Sequence, residues 1–388
     1  MSLDTDRAAE AFADSTDWTV GLEEEFAILD PETLDMVPRF EELRDAATAG
    51  DPVLAESISG ELISSEIEIR SGRGEDLSDA FARQRDHRRR LFELAAARGV
   101  LLGSTGTHPW ADYREQPNID TEHYRRVVDG LQYVARRNNT FSLHVHVGLR
   151  DADRAIRVCD RLRAVLPTLL AVSANSPYLD GLDSGLHSAR TQSFTKSFPR
   201  CGIPDAYGSW ADYAKYIDFL TATNSIVEYT QVWWSVRPHF SFGTVEVRIC
   251  DAQGTAAESE GLAALIVACV AQAARDEDEG RVGGPADASL SRRILEENFW
   301  RAIRFGMDGK LIDYATAVEK PAPALVADLL SWTAPMRAEL ALPEPALPSL
   351  NGAQRARRAI EAGAPMEEVY ATSVQETRQT YAQEVPAR

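Results

Sequence analysis

Cysteine and lysine are both scarce in this chain of 388 residues. The four cysteines, Cys159, Cys201, Cys250 and Cys269, lie far apart and form no CxxC pair. This spacing argues against cysteine zinc sites and redox pairs, and it indicates reduced thiols in a cytoplasmic protein. Only four of the 41 residues that are Lys or Arg are lysine, a bias that indicates genome composition or salt adaptation more than a mechanism.

Positive charge is also in short supply, and no apolar run is long. The formal net charge is −19 at pH 7, which argues against nucleic-acid partners and anionic membranes, since both need a basic surface. The longest apolar run, 261–273, is shorter than the roughly 20 residues that cross a bilayer, and it predicts a buried helix. The first 17 residues are polar and acidic, unlike a signal peptide. We expect a cytoplasmic protein without nucleic-acid or membrane partners, either as a monomer or as a homo-oligomer.

Several common nucleotide-binding and catalytic motifs are missing. The chain has no Walker-type GxxxxGK[ST], no GxGxxG after a strand, no GxSxG and no kinase HRD or DFG set. What remains is a sequence with 44% hydrophobic residues, enough to bury a sizeable core. We predict a single α+β catalytic domain over 1–388, with a core at about 18–315 and a helical C-terminal part at about 316–388.

Polar side chains alternate with apolar ones along four predicted strands, in segments 18–30, 63–70, 141–149 and 232–250. Because residues two apart share one face of a strand, each segment presents an apolar face and a polar face. Glu24 falls on the apolar side, which alternation does not explain. The polar faces carry Gly21, Glu23 and Glu25, then Glu66, Glu68 and Arg70, then Ser142, His144, His146 and Gly148, and lastly Thr244, Glu246, Arg248 and Cys250.

These polar faces hold Glu, His and Arg, which is unusual for the plain solvated face of an antiparallel sheet. Carboxylates packed together repel one another, and divalent cations relieve that repulsion. Mg²⁺ or Mn²⁺, bridging a few carboxylates and the phosphates of a nucleotide, fits the surplus of Glu. His144 and His146 also suit a transition metal, which leaves a zinc-dependent hydrolase as an alternative. Arg70, Arg237 and Arg248 are placed to neutralise phosphates or a substrate carboxylate, with a structural salt bridge as the alternative for each.

Two further segments invite a functional interpretation. Ser78 is the predicted N-cap of a helix that reaches about residue 98 and contains the run His87-Arg88-Arg89-Arg90. For this run a solvated helical face is favoured over a phosphate site. The segment 175–208 is rich in Gly, Ser and Pro and is long for a loop. We therefore predict that this segment is a lid that carries Arg190 and excludes water from a reaction site.

Seven motifs in collinear order resemble those of the glutamate–cysteine ligase family, especially its shorter bacterial branch of carboxylate–amine ligases. They extend from about residue 18 to about 315, so the resemblance covers most of the chain. The motifs are GLEEEF (21–26), GELISSEIEI (60–69), GTHPW (106–110), SLHVHVG (142–148), SARTQSF (188–194), WWSVRPHFSFGTVEVRICDA (233–252) and NFWRA (298–302), with Arg304 and Gly306 following.

The resemblance implies a curved antiparallel sheet with helices packed on one face, related to the catalytic sheet of glutamine synthetases. It also implies several Mg²⁺ ions between carboxylates of this sheet and the phosphates of ATP. Glu61 has the wrong parity for the face of Glu66 and Glu68, so its role requires a bend before the strand. By motif, the implied metal ligands are Glu23, Glu25, Glu61, Glu68, His144 and Glu246, the catalytic residues are Arg190, Arg237 and Arg248, and the substrate is held by Arg190, Arg237, Arg70 and His146.

The activity implied by the resemblance is ATP-dependent joining of glutamate to cysteine through a γ-glutamyl phosphate, as in glutathione biosynthesis. Neither step needs a protein nucleophile, so the cysteines are expected to be packing residues. Three alternatives stay open: the same chemistry with a different amine, a metal-dependent hydrolase, and a non-catalytic protein that retains the sheet. No motif selects the amine or the residues that bind the nucleotide.

Overall fold

The computed structural model describes residues 4–383 as a mixed α and β fold. Its strands are β1 (Val20–Leu29), β2 (Ile58–Ser59), β3 (Glu66–Arg70), β4 (Leu101–Gly103), β5 (Ser142–Gly148), β6 (Tyr178–Leu179), β7 (Leu182–Asp183), β8 (Cys201–Gly202), β9 (Trp233–Trp234), β10 (Val236–His239), β11 (Thr244–Asp251), β12 (Lys310–Asp313) and β13 (Val318–Pro321). Its α-helices are α1 (Thr5–Ala13), α2 (Phe40–Gly50), α3 (Pro52–Ser57), α4 (Leu77–Ala97), α5 (Glu122–Leu131), α6 (Tyr133–Arg136), α7 (Ala152–Leu162), α8 (Leu166–Ser173), α9 (Trp210–Ala222), α10 (Ala256–Asp278), α11 (Arg292–Phe305), α12 (Ala322–Glu339), α13 (Gly352–Glu361) and α14 (Met366–Tyr381).

Seven of these strands form one open antiparallel sheet. Its order is β10-β11-β5-β1-β3-β2, and β4 pairs with the second half of β1. β1 is therefore central, with β3 on one side and with β5 and β4 on the other. The edge strand β10 contains Pro238, which has no N–H to donate and is tolerated at an edge. The predicted α+β class with an antiparallel sheet is confirmed.

Helices cover one face of this sheet. Leu22 of β1 and Val145 of β5 belong to an apolar cluster that includes residues of α4, α7, α8 and α10. Phe26 and Ile28, further along β1, pack against α2, α3, α4 and α14. Each fully buried Leu, Ile, Val or Phe side chain contributes about 1.5–3 kcal/mol, so burial of the apolar face sets the register of the strands. The polar face is consequently turned away from this helical layer.

The helix α10 is the longest apolar element and lies inside the protein. Thr255 and Glu258 form a capping box at its start, and the helix extends over 23 residues. It is the one helix within residues 4–383 that is long and apolar enough to cross a membrane, and 83% of its most apolar window is buried inside the fold. The predicted buried helix is confirmed, and it is longer than the apolar run at 261–273 because helical structure continues on both sides of that run. Its burial in the core accounts for its composition.

The helix α4 begins after Asp76, whose side chain accepts a hydrogen bond from the N–H of Asp79, so the predicted cap at Ser78 is two residues late. The prediction of a solvated face for the basic run in this helix is wrong for Arg88. Its guanidinium is 1% exposed and donates to both carboxylate oxygens of Glu24 at 2.6 Å. This pairing also explains why Glu24 faces the helices.

The predicted lid segment, 175–208, is anchored over its first half. The Asp251 carboxylate accepts hydrogen bonds from Asn175 N at 2.9 Å, from Ser176 Oγ at 2.7 Å and from Ser188 Oγ at 2.9 Å. Several residues of this half are buried, so this half is packed against the rest of the protein and is not a free loop. The hypothesis that 175–208 is a lid that carries Arg190 stays a prediction.

The helices α12, α13 and α14 follow the core in the chain. The ring of Tyr381 stacks on Phe92 and meets Phe26 edge-on, with ring centroids 5.8 Å and 5.4 Å apart. Its hydroxyl donates to the carbonyl oxygen of Gln253 at 2.9 Å. The single-domain organisation stays a prediction, and these contacts favour it because they join the last helix to the first strand.

Candidate active site

The polar face of the sheet places charged side chains beside one another across neighbouring strands. Aligned residues of antiparallel strands have Cβ atoms about 4.5–5.5 Å apart, so their side chains interact directly. The alternation in the sequence therefore brings five strands to one site, β1, β3, β5, β10 and β11. The aligned pairs are Glu25 with Glu68, Glu23 with Arg70, Glu23 with His144, Glu246 with His146, and Glu246 with Arg237.

The six residues implied as metal ligands fall into three groups, in each of which the ligand atoms lie within 4.8 Å of one another. Glu61 joins from the loop before β3, where a turn at 62–65 supplies the bend that its parity requires. His146, which the resemblance places in substrate binding, lies instead in one group with Glu23 and Glu246. The groups are Glu23, Glu68 and His144; Glu23, His146 and Glu246; and Glu25, Glu61 and Glu68.

Burial and mutual repulsion act together on these carboxylates. Burial, and after it the charge of Glu25, raises the pKa of Glu61 to about 8. Burial and the neighbouring carboxylates also raise the pKa values of Glu66 and Glu68 well above their ordinary range. The Oε2 atom of Glu66 is buried and has no hydrogen-bond partner within residues 4–383. Hard divalent cations fit such a donor set, because coordination replaces the repulsion.

Two histidines of β5 flank Glu23. His144 Nδ1 lies 3.0 Å from Glu23 Oε2, and His144 Nε2 lies 2.8 Å from Ser142 Oγ. Ser142 donates to Glu25 Oε2 from its N–H at 2.5 Å and from its hydroxyl at 2.6 Å. His146 Nε2 lies 3.4 Å from Glu23 Oε1. The two imidazoles thus belong to different groups and do not form one two-histidine zinc site.

Three arginines supply positive charge beside these groups. Arg237 Nε donates to Glu246 Oε2 at 2.7 Å, and Arg248 Nη1 donates to the other oxygen. Although burial raises the pKa of Glu246, Arg237 and then Arg248 bring that pKa well below its ordinary range. Arg248 lines the same cleft as the carboxylates, so its guanidinium is placed to face a bound substrate. Arg70 lies 3.6 Å from Glu68 Oε1.

Arg190 is more deeply enclosed than the sequence suggested. It is 2% exposed, and its guanidinium donates to the carbonyl oxygens of Ile249 and Arg248 at 3.1 Å and 3.3 Å. It also lies 3.8 Å from Asp251 Oδ1 and lines the same cleft as the carboxylates. Arg190 is therefore placed both to support β11 and to face a bound substrate.

A β-bulge between Val247 and Cys250 changes which residues of β11 face the site. The register aligns Cys250 with Leu143 and Asp251 with Ser142. Cys250 consequently packs in the core on the helical side, fully buried. The prediction that parity places Cys250 on the polar face is wrong, because the bulge adds a residue to the count.

Cys250→Ala should lower the free energy of unfolding by about 1 kcal/mol, the central value for a buried substitution, and leave kcat unchanged. The reason is that its thiol touches core residues and not the cleft. Urea unfolding together with ADP release under saturating substrates checks both parts. Loss of turnover in a folded Cys250→Ala protein would show that the thiol has a role in the reaction.

Two cavities meet at Glu23. The first contains the carboxylate groups, and Tyr124 closes part of it by donating to the carbonyl oxygen of Gly60 at 2.5 Å, next to the loop that carries Glu61. Aromatic side chains wall this cavity: Tyr124, Phe194, Phe198 and Trp233. The second cavity lies on the other side of Glu23 and is lined by Val53, Arg70, Arg73, Arg83, His87, His146 and Phe242, among others.

Sequence reasoning gave no role to several residues that line these cavities. For Glu66 the sequence did contain a signal, because alternation places this residue on the predicted polar face. Tyr124 and Phe242 lie in a helix and in a turn outside the sheet. Their positions depend on tertiary packing, and no local pattern indicates them.

Sequence comparison places the chain among known proteins. The family described as Glutamate-cysteine ligase family 2 (GCS2) matches residues 19–346. A protein of Solibacter usitatus is 36% identical over 365 residues, which cover 92% of this chain and 93% of the relative. A protein of Gloeobacter violaceus is 39% identical over 357 residues, which cover 89% of this chain and 93% of the relative. Both relatives carry the provisional name glutamate–cysteine ligase 2.

Two solved structures share the fold at low sequence identity. Glutamate–cysteine ligase of Francisella tularensis, in complex with AMP, has a TM-score of 0.70 and 10% identity, with 95% of this chain and 91% of that chain covered. A bifunctional glutathione synthetase of Pasteurella multocida has a TM-score of 0.65 and 14% identity, and the match covers 97% of this chain but only 54% of that longer chain. These structures show the fold, and the extent of the sequence matches shows the family. The chain belongs to glutamate–cysteine ligase family 2.

Proposed function

We propose that this chain joins the γ-carboxylate of glutamate to the amine of cysteine, with conversion of ATP to ADP and phosphate. The observation that carries the proposal is the polar face, where buried carboxylates and arginines converge on one cleft in a member of a ligase family. Such a face suits a polyanion that is handled together with divalent cations. We also propose a cytoplasmic location, with glutamate, cysteine and ATP as small-molecule partners.

Mg²⁺ is the cation that the donor set fits best, and Mn²⁺ is the alternative. Glu25, Glu61 and Glu68 would hold one ion, and the two groups that share Glu23 would hold others. When bound, the ions neutralise phosphate oxygens of ATP. Glu66, with its unpartnered Oε2, is a further candidate ligand.

The residues of the chain supply positioning and charge for two steps. In the first step a γ-carboxylate oxygen of glutamate attacks the γ-phosphorus, the bond to the β-phosphate oxygen breaks, and ADP leaves. Negative charge on the transferring group is stabilised by the guanidinium of Arg248, which lines the cleft, while Arg237 holds Glu246 in place.

In the second step the amine attacks the carbonyl carbon of the acyl-phosphate. The bond from this carbon to the phosphate oxygen breaks, phosphate leaves with the electron pair, and the proton lost by the nitrogen passes to that phosphate. Water would destroy the acyl-phosphate, and the aromatic wall around the first cavity helps to exclude it. Neither step uses a protein nucleophile.

We propose that ATP binds in the second cavity. It shares Glu23 and His146 with the second metal group, so a triphosphate bound there continues into it. Its arginines add positive charge for the phosphates. Phe242 is 57% exposed and stacks on His239 with ring centroids 4.2 Å apart. An exposed ring on this wall suits the face of adenine.

Phe242→Ala should raise KM for ATP about tenfold and leave kcat nearly unchanged, because stacking on an aromatic side chain contributes about 1–3 kcal/mol per base. Steady-state kinetics at saturating glutamate and cysteine measure this effect. Phe219→Ala is the matched control, since Phe219 is 62% exposed and does not line this cavity. An unchanged KM for ATP would show that adenine does not stack on Phe242.

The acyl-phosphate is tested by the fate of oxygen. With ¹⁸O in the side-chain carboxylate of glutamate, one labelled oxygen should appear in each phosphate released during amide formation. Phosphate without label would exclude the acyl-phosphate. The same assay with a panel of amines tests the acceptor: label transfer and amide formation with another amine, but not with cysteine, would keep the chemistry and replace the substrate.

A further inference from the structure

A buried polar network lies directly behind the strand that carries Glu23 and Glu25. Glu24, the residue between them, is 3% exposed and points into the helical layer. Arg88 of α4 grips both of its oxygens, and the Ser259 hydroxyl of α10 also donates to it. The Glu24 carboxylate is thus bonded from two helices at a point where β1 presents its charged residues to the opposite face.

Gln84 extends this network to the neighbouring strand. Its Nε2 donates to Glu24 Oε2 at 2.7 Å and to the carbonyl oxygen of Ile69 at 3.3 Å. Glu24 and Ile69 are aligned partners of β1 and β3. One amide group therefore ties the two strands together, and Ile69 is adjacent in sequence to Glu68, which belongs to two of the metal groups.

The opposite face of these strands pushes them apart. Glu25 and Glu68 are aligned across the two strands, and when both are ionised, as cation binding requires, like charges in that position destabilise the pairing. The spacing of the ligand atoms before any cation binds then depends on what opposes the repulsion. Gln84 and the Glu24–Arg88 pair are fixed at the same level of the sheet from the helical side, so they are placed to oppose it.

Stability of the fold alone does not account for an amide side chain at position 84. Its Oε1 is buried without a hydrogen-bond partner within 4–383. A buried acceptor in that state costs about 1–3 kcal/mol, a penalty that an apolar side chain of similar size avoids. The donor side of the amide, which bridges the two strands, is what an apolar residue could not supply.

We propose that Gln84, together with the Glu24–Arg88 pair, positions β1 and β3 so that Glu23, Glu25 and Glu68 reach the same divalent cations. These are positioning residues, since they lie behind the strands and act through the ligands. The proposal rests on the metal site of the proposed function. It adds the residues that set the spacing of the ligands in that site.

The test measures metal binding directly, with no substrate present. Free Mn²⁺ is followed by electron paramagnetic resonance during titration of the metal-free full chain. Gln84→Leu should weaken Mn²⁺ binding by about tenfold or more, the usual cost of removing a group that orients metal ligands. Gln272→Leu is the matched control, because Gln272 is 1% exposed, donates to Asp276 Oδ1 at 2.8 Å and also has a buried, unpartnered Oε1 in the described residues.

A second variant covers the case in which Gln84→Leu fails to fold. The double change Glu24→Met with Arg88→Met removes both buried charges together, a kind of replacement that proteins often tolerate without loss of stability. It should fold cooperatively and show the same weakening of Mn²⁺ binding. Wild-type Mn²⁺ affinity in a folded variant of either kind, or equal weakening in Gln272→Leu, would overturn the proposal. Absence of Mn²⁺ binding by the wild-type chain would instead overturn the proposed metal site itself.

Discussion

Glu23→Gln is expected to lower kcat/KM by about three orders of magnitude, which corresponds to about 4 kcal/mol of transition-state stabilisation. Glu23 belongs to two of the three metal groups and lies where the two cavities meet. An amide keeps the shape of the side chain and removes its charge, so both groups lose a ligand at once. Steady-state kinetics over a range of Mg²⁺ concentrations measure the effect.

The fold should survive this change. Burial raises the pKa of Glu23, but His146 and His144 outweigh it and bring the pKa well below its ordinary range. The carboxylate also repels Glu61 and Glu68. Gln loses the attraction and relieves the repulsion, so the free energy of unfolding should change little.

Glu258→Gln is the matched control for Glu23→Gln. Glu258 is a buried carboxylate that pairs with Arg355 and takes part in the cap of α10. It does not line either cavity, and its substitution should leave turnover unchanged. Turnover close to wild type in Glu23→Gln at saturating Mg²⁺ would contradict the assignment of Glu23 as a ligand.

Arg248→Lys is expected to lower kcat by about 10²–10³-fold with a smaller effect on KM for ATP, the loss seen when one donor to a developing charge is removed. Lysine keeps a positive charge but lacks the planar fork. Its single ammonium nitrogen cannot both hold Glu246, as Nη1 of Arg248 does, and present a second nitrogen to the transferring phosphoryl group in the cleft.

Single-turnover kinetics separate the chemical step from binding in this variant. Arg154→Lys is the control, because Arg154 pairs with Asp17 and Asp278 away from the cleft. If the label transfer from glutamate to phosphate runs at the wild-type rate in Arg248→Lys, Arg248 does not stabilise the transferring group.

Local alternation was sufficient to predict the polar face. Glu23, Glu25, His144 and Glu246 lie where parity places them, because the buried face of each strand fixes its register. The same reasoning failed at Cys250, where a bulge that no local pattern announces shifts the count by one residue. Strand periodicity therefore predicts a site only as far as the strand is regular.

Pairing between residues far apart in the chain could not be predicted from local sequence patterns. Arg88 is 64 residues from Glu24, and the basic run around it has the composition of a solvated face. Its burial follows from the Glu24 carboxylate, which needs a cation once β1 is covered by helices. The cavity beyond Glu23 was likewise missed, because Phe242 and the arginines of its wall come from separate segments that only the fold unites.

The contact between the first strand and the last helix has a consequence for biosynthesis. Tyr381, which packs against Phe26, is added about 350 residues after β1 is made. At about 5–20 residues per second, the ribosome needs about 20–70 seconds to reach it, and the apolar side of β1 stays incomplete for that time. The apolar face of an early strand is thus exposed during synthesis, which is the condition under which nascent chains are prone to aggregation.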